Sequence, residues 1–526
     1  MTQDSTLTEP YASDQEKVLL DGEYTAHVPF NVVDDEKHAR VAAGDSRTNV
    51  SVDEQANPFM LTHSAQVTYD GPEDKSNPQN WSSPLKWSVT ILVSCGGFIT
   101  MMSGSMLAPA LPAISHDLGM SEATAQITLS VFVLAFAFGP MLLAPFAEVY
   151  GRRPVWILCG TFYSVWSIVS GFSHHKGLLV ISRLLAGFGG SVDFVMSYPV
   201  VDDVWSPEER GKACAIVSFL PLLGPAMGPL LGGIITQTIG WRWIFWVSAI
   251  FSGCLMILGF FVFPETSAAK ILGDKARELS KATGQHYHTE YEGPNQKVTQ
   301  KLWLSINRPS RLLATQPILM VISLFLAYNF GILYFVLSTF SSLYTNVYHQ
   351  TALQSGLHYI ALALGYLVAN TIEAEVMDRI WAHLTEKAGG ETAPEYRVPL
   401  MVPSGLLMPI GLLWYGWSAQ AHLYWIMPDI GAAIFGCGFF LNTGLMLAYV
   451  LDSFGKYTAS AMAASQLLRM IAGFTFPIFA PVMYTALGWG WANTTLALIA
   501  LVFGSLAPLI LWKFGAKIRA LGKPQW

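Results

Sequence analysis

The chain has 526 residues, of which 52% are hydrophobic and only 13% charged; soluble domains carry about 25% charged residues. Its formal net charge is −6, and it has no polybasic cluster of the kind that binds nucleic acid. So little polar surface excludes one large water-soluble core and points to a chain that enters a lipid bilayer repeatedly.

In chain order, residues 1–84 are polar, acidic and aperiodic, and read as a disordered cytosolic tail. Twelve apolar runs follow, near 88–110, 124–146, 155–173, 177–199, 213–235 and 243–263, then 316–340, 354–376, 399–417, 423–449, 459–485 and 492–513. Hydrocarbon offers the backbone no hydrogen bonds, so each run is expected to be a helix and the fold all-α. The expected organisation is a six-helix bundle over 85–264, a cytosolic loop over 265–315, a second bundle over 316–514, and a cytosolic tail over 515–526. Within the loop, "LGDKARELSKATG" reads as an amphipathic surface helix or a solvated connector.

Orientation follows from the basic residues. With the N-terminus in the cytosol, 26 of the 30 Lys and Arg lie on the cytosolic side, and only Lys176 and Arg242 lie outside. Arg183 and Arg469 fall within spans. The two halves also echo one another. "GWRW" (240–243) and "GWGW" (488–491) recur 248 residues apart, and "GKACA" (211–215) has a counterpart in "GKYTASA" (455–461). Parallel repeats of six spans predict two bundles facing each other across a central site.

Between spans 2 and 3 lies "AEVYGRRP". Gly151 suits a tight turn, and Pro154 suits the first turn of the following helix. Arg152 and Arg153 anchor the turn on the cytosolic side. Glu148 is within reach of an arginine or a helix N-terminus, so the cluster reads either as a latch between the bundles or as a plain topogenic signal. A worn copy, "VMDRIWAHL" (376–384), keeps Asp378 and Arg379 in the loop after span 8. In span 5, "PLLGPAMGPLLGG" (221–233) repeats Gly224, Gly228 and Gly232 on one helix face, where another backbone can approach closely. Gly-Pro pairs occur at 224–225 and 228–229, and Gly233 ends the run.

These stretches resemble the major facilitator superfamily. "FAEVYGRRP" is similar to its loop between spans 2 and 3, with Glu148 where the family usually has Asp and Ala144 where it has Gly. "ISRLLAGFGGS" (181–191) resembles its R-x-x-x-G-x-G-G signature, and the resemblance implies that Arg183 is linked to proton transfer. The span 5 stretch (Gly224, Pro225, Gly228, Pro229, Gly232, Gly233) resembles the family's antiporter motif. "NPQNWSSPLKW" (77–87), "DVWSPEERGKA" (203–213), "FPETSAAKIL" (263–272), "PEYRVPLMVPSG" (394–405) and "AYVLDSFGKYTASAMAA" (448–464) narrow the likeness to the fungal twelve-span drug:proton antiporters.

The resemblance implies a cavity lined by spans 1, 4, 7 and 10. Candidate lining residues are Met101, Met102, Ser103, Ser105 and Met106, with Tyr328, Asn329, Tyr334 and Asn442; thioethers and aromatic rings suit varied apolar ligands. Asp193 lies ten residues beyond Arg183, about 15 Å along a helix axis and off its face, so the two are not expected to pair. A carboxylate at that depth is costly to ionise, which makes Asp193 a candidate proton site or a carboxylate bonded to a neighbouring helix. Arg469 also needs a partner, for which Glu373 is one candidate. No nucleotide-binding loop, metal-ligand pattern or catalytic constellation is present in the sequence. The expectation is a monomeric, proton-driven exporter of amphipathic organic compounds in a fungal plasma or vacuolar membrane, without a cofactor. An exporter of a charged metabolite, either an organic anion held by Arg183 or Arg469 or a polyamine held by carboxylates, and a non-transporting sensor are the alternatives.

Overall fold

The computed structural model describes residues 66–71, 73–206, 209–291, 298–454 and 458–521. The expected tail up to residue 65 lies outside the described residues, as do residues 455–457 of the second repeated loop. Six crossings precede a polar connector and six follow it.

The first crossing joins helix α1 (Ser83–Ser105) to the short α2 (Leu111–Leu118). Helices α3 (Glu122–Tyr150) and α4 (Arg152–Gly171) follow. The fourth crossing is split at Ser191 into α5 (Lys176–Gly190) and α6 (Val192–Val204). Helices α7 (Arg210–Thr238) and α8 (Arg242–Val262) complete the first half. The connector holds α9 (Ala268–Thr283) and α10 (Val298–Thr315). In the second half α11 (Pro317–Ser342) is followed by α12 (Ala352–Leu357) and α13 (Tyr359–Lys387), then α14 (Val398–Gln420), α15 (Ile426–Phe454) and α16 (Thr458–Leu521). Eleven helical stretches among the described residues are long and apolar enough to cross a membrane. The last of these is broken at Gly488 (φ 71°, ψ 172°) and supplies two crossings, which makes twelve.

Gly488 has a counterpart in Gly240, whose φ is 97°. Both open the last crossing of their half, and a side chain at either would be strained in that backbone region. The "GWRW" and "GWGW" repeats therefore mark one reused turn. Elsewhere the termini are fixed by local polar groups. The Ser121 hydroxyl caps α3 by accepting the Thr124 amide, and Thr351 and Gln354 form a capping box on α12. Large apolar side chains such as Leu158, Phe172, Phe251, Phe261 and Val482 are exposed along the helices, which fits a surface solvated by lipid tails.

Three expectations change. Residues 66–71 and 73–80 belong to the folded part: the strand β1 (Gln66–Val67) pairs in parallel with β2 (His288–Thr289), and Asp70 lies 2.7 Å from Lys275 on α9. The connector contains a second helix, α10, that was not expected beside the amphipathic α9. The stretch 376–384 is not a loop, because α13 runs unbroken to Lys387. Leu384 and Trp381 keep the apolar pattern going past the charges.

Most Lys and Arg cluster at one end of the crossings, here called the basic end. At the opposite end the halves are sealed together. Gln126 on α3 donates to the Ser338 carbonyl on α11 at 3.3 Å, and the Leu353 amide donates to Gln237 on α7 at 3.3 Å. Between them Gly356 sits so close to α7 that a Cβ would lie 2.7 Å from the Pro229 carbonyl oxygen. Gly356→Leu is therefore expected to open the seal. Ser338→Cys, buried in the parent, should react with a membrane-impermeant maleimide about tenfold faster in that background, and an unchanged rate would show that this contact does not hold the seal.

Candidate functional site

The turn between α3 and α4 is built around Gly151, whose φ of 99° and close approach to the Glu265 carboxylate exclude a side chain. The Arg152 and Arg153 amides, orphaned at the start of α4, donate to Glu265 at 2.8 and 3.3 Å. The same carboxylate accepts the Thr266 and Ser267 amides at 3.1 and 3.0 Å. Arg152 Nε donates to Asp203 at 3.0 Å, and the Thr266 hydroxyl donates to the same oxygen at 3.1 Å. Arg153 donates to the Phe260 carbonyl at 2.7 Å and covers the Phe260 ring. All of these contacts lie within the first half and the start of the connector. Glu148 is exposed and makes no hydrogen bond or ion pair among the described residues. In this state the cluster clamps one half internally; it does not latch the two halves, and Glu265 and Asp203 take the place expected of Glu148.

The second half repeats the clamp. Arg397, before α14, lies 2.5 Å from Asp452 at the end of α15. Arg519 forks onto both oxygens of Glu395 and donates to the Tyr449 hydroxyl. Arg397–Asp452 thus repeats Arg152–Asp203 at nearly the spacing of the two turns. Asp378 and Arg379 are not the copy: both are exposed on α13, and among the described residues Arg379 pairs only with Glu375, at 3.9 Å.

At mid-depth the two arginines within spans face the seam between the halves. Arg183 on α5 is 1% exposed and donates to the carbonyl and hydroxyl of Ser103 at 3.2 and 3.4 Å. Its guanidinium covers the Phe132 ring at 4.3 Å. Arg469 on α16 bonds Gln466, not Glu373, and covers the Phe330 ring at 5.0 Å. Glu373 lies against Gly444 on α15 instead. Tyr334 on α11 is within electrostatic reach of both arginines. Met101, Phe132, Phe330, Tyr334 and Met470 belong to one apolar cluster drawn from both halves.

Other expected lining residues pack inside one half. Met102 and Met106 are buried against α7, where Gly224, Gly228 and Gly232 bring the α7 backbone onto α1. The Ser105 hydroxyl bonds the Met102 carbonyl at 3.2 Å. Helix α7 carries Pro225 and Pro229 inside one continuous helix, and Gly233 meets Ala352 of the second half. Asn442 donates to the Met401 carbonyl at 3.2 Å and accepts from Asn329 at 3.4 Å. Tyr328 donates to the Leu496 carbonyl at 2.8 Å. Asp193 opens α6 just after the break at Ser191; it accepts from Thr100 at 2.6 Å and from the Trp156 indole at 3.0 Å, beside a small cavity also lined by Gly96, Gly160 and Ser252.

Residues 93–477 match the description Major Facilitator Superfamily. The chain belongs to that superfamily. It is 39% identical to an efflux pump of Penicillium aethiopicum (vrtL), over 87% of this chain and 91% of that one. It is 38% identical to a probable efflux pump of Aspergillus flavus (mfs2), over 79% of this chain and 98% of that one. The inward-open xylose transporter XylE from E. coli shares the fold, with a TM-score of 0.62 over 82% of this chain and 96% of that one at 15% identity. As a member of the superfamily the chain is a multi-pass membrane transporter and not an enzyme.

His358 is not among the candidates read from the sequence. Its Nδ1 lies 2.7 Å from Asp429 and its Nε2 2.6 Å from Gln350, while Tyr344 stacks on the ring and donates to Asp429 at 2.5 Å. Its signal was positional: His358 and Asp429 open spans 8 and 10 at the same membrane level. Glu265 and Asp203 stood in motifs already noted, but only the fold shows that they converge on one turn. Glu265→Ala strands the α4 amides and is expected to cost about 1–3 kcal/mol, read as a lower unfolding temperature of the purified transporter. Glu148→Ala should leave that temperature unchanged; equal losses would reverse the assignment of the clamp.

Proposed function

We propose that the chain is a proton-driven antiporter that exports amphipathic organic compounds from a fungal cell by alternating access. The observation that carries the reading is the mid-depth seam, where Met101, Phe132 and Arg183 of one half meet Phe330, Tyr334 and Arg469 of the other. A site shared by two internally clamped halves is exposed to whichever end is not sealed. Apolar rings and a thioether give it an adaptable surface, and it lacks the dense hydrogen bonding that a sugar requires. Export is supported by the efflux-pump names of relatives at 38–39% identity.

The bias of basic residues puts the basic end, both termini and the connector in the cytosol. On that orientation the seal of this state faces the outside. The plasma membrane is the proposed location and the monomer the working unit. The energy source is the proton gradient, with no bound cofactor, and Asp193 is the proposed proton site. Its position at the α5–α6 break couples it to the helix that carries Arg183, while Thr100 ties it to α1. A proton taken up there removes the charge that Thr100 and Trp156 hold, and so alters how α1, α4 and α6 pack.

Inside-out vesicles acidified within, carrying the purified chain, test this reading. Among an anionic, a neutral and a cationic amphipathic dye (fluorescein, Nile red and rhodamine 6G), uptake of at least one should rise with the imposed pH gradient and collapse with a protonophore, and Asp193→Asn should flatten its pH dependence. Uptake indifferent to the protonophore would end the proton-driven reading, and an unaltered pH profile in the variant would remove Asp193 from it.

A further inference from the structure

Arg183 and Arg469 have an unusual position among the charges in the crossings. A guanidinium carries five donors and cannot lose its charge. Buried in a bilayer protein, it is costly unless it is paired or hydrated. Arg183 spends its contacts on Ser103 and on aromatic rings, and its Nε has no partner. Arg469 bonds the Gln466 oxygen; its Nε and the Gln466 amide nitrogen are also buried without a partner. Among the described residues neither touches a carboxylate.

The described acidic groups of the crossings are occupied elsewhere. Asp193 is held by Thr100 and Trp156, Asp203 by Arg152, and Asp429 by His358 and Tyr344. Asp452 and Glu395 are held by Arg397 and Arg519. Glu373 lies against Gly444, on the side of Arg397. The mid-depth seam is therefore cationic, receives one guanidinium from each half, and is walled by Phe132 and Phe330.

We infer that the cargo of this seam is an organic anion: an amphipathic aromatic compound bearing a carboxylate or a comparably acidic hydroxyl group. The inference rests on the proposed transport reading and names the substrate class of the same site. The anion supplies the counter-charge that the protein withholds, and the unpartnered Nε donors and the Gln466 amide supply directed hydrogen bonds to it. The ring system lies against Phe132 and Phe330. Because the arginines belong to opposite halves, one anion bridges both, so binding favours the state in which the seam is closed around it. An organic cation meets two like charges and no acceptor of full charge, and a neutral analogue leaves both guanidiniums unpaired.

The test is a binding measurement on the purified full chain, using naphthalene-2-carboxylate, naphthalene-2-carboxamide and naphthalen-2-ylmethylammonium as probes of one shape and three charges. The carboxylate should bind at least about tenfold more tightly than the amide, and the ammonium least of the three. Arg469→Gln and Arg183→Gln should each abolish that preference, whereas Arg469→Lys should retain most of it. If Arg183→Gln does not fold, Arg469→Gln and Arg469→Lys decide the matter. Equal or tighter binding of the amide or the ammonium, a preference untouched by Arg469→Gln, or no saturable binding of the carboxylate would each overturn the inference. Dye uptake in the acidified vesicles is scored separately. Carboxylate binding without any transport would fault the proposed function alone, and proton-driven uptake with no anion preference would fault this inference alone.

Discussion

The structure turns on how charge is distributed in a solvent that cannot hydrate it. A carboxylate or guanidinium drawn into a bilayer protein must find its partner within the protein or leave a large free-energy cost uncompensated. Nearly every such group here is satisfied inside its own half: Arg152 by Asp203, Asp193 by Thr100 and Trp156, Arg397 by Asp452, Arg519 by Glu395. Each half is thereby a self-sufficient body. The two arginines left over, Arg183 and Arg469, lie where the bodies meet, so the interface is the place where charge remains unbalanced.

Duplication explains why both bodies use the same devices. Gly240 and Gly488 both take a positive φ at the turn before the last crossing of each half. An arginine at the start of the third crossing grips an aspartate at the end of the fourth in each half. These clamps sit at the basic end and hold helices of one half together, so the halves can move as units. The contacts between halves at the opposite end are of another kind: close backbone packing at Gly233 and Gly356, a hydrogen bond donated by Gln126 and one accepted by Gln237. Packing of small residues without an ion pair parts at less cost than a buried salt bridge, and such a seal suits an end that must open and close.

The sequence made the scaffold legible because hydrocarbon imposes one rule on every residue. Twelve apolar runs and a repeat of 248 residues in the Gly-Trp turns are enough to give twelve helices in two sets. The turn at Gly151 and the small-residue face of α7 were legible for the same reason: steric demands are local. Partnerships were not legible. Glu148 stands three residues from Gly151, yet Glu265, more than a hundred residues away, caps the helix. Asp378–Arg379 looks like a copy of the first loop, yet the repeated pair is Arg397–Asp452. Met102, Tyr328 and Asn442 fall in the right spans but on faces turned into their own half, because a helix that lines a cavity shows it only part of its circumference. Arg183 and Arg469 could be flagged as costly from the sequence. That they share one seam, with Tyr334 between them, required the fold.

The central claim is that two rigid halves meet at a mid-depth seam and open at one end at a time. Pulsed electron-resonance distances between spin labels test it most directly, with one pair at Thr238→Cys and His349→Cys at the sealed end and another at Glu148→Cys and Asp378→Cys at the basic end, in a background lacking the five native cysteines. The account predicts two populations in which a lengthened distance at one end accompanies a shortened distance at the other, shifted by the pH gradient. Distances that stay fixed under every condition, or that lengthen at both ends together, would contradict it.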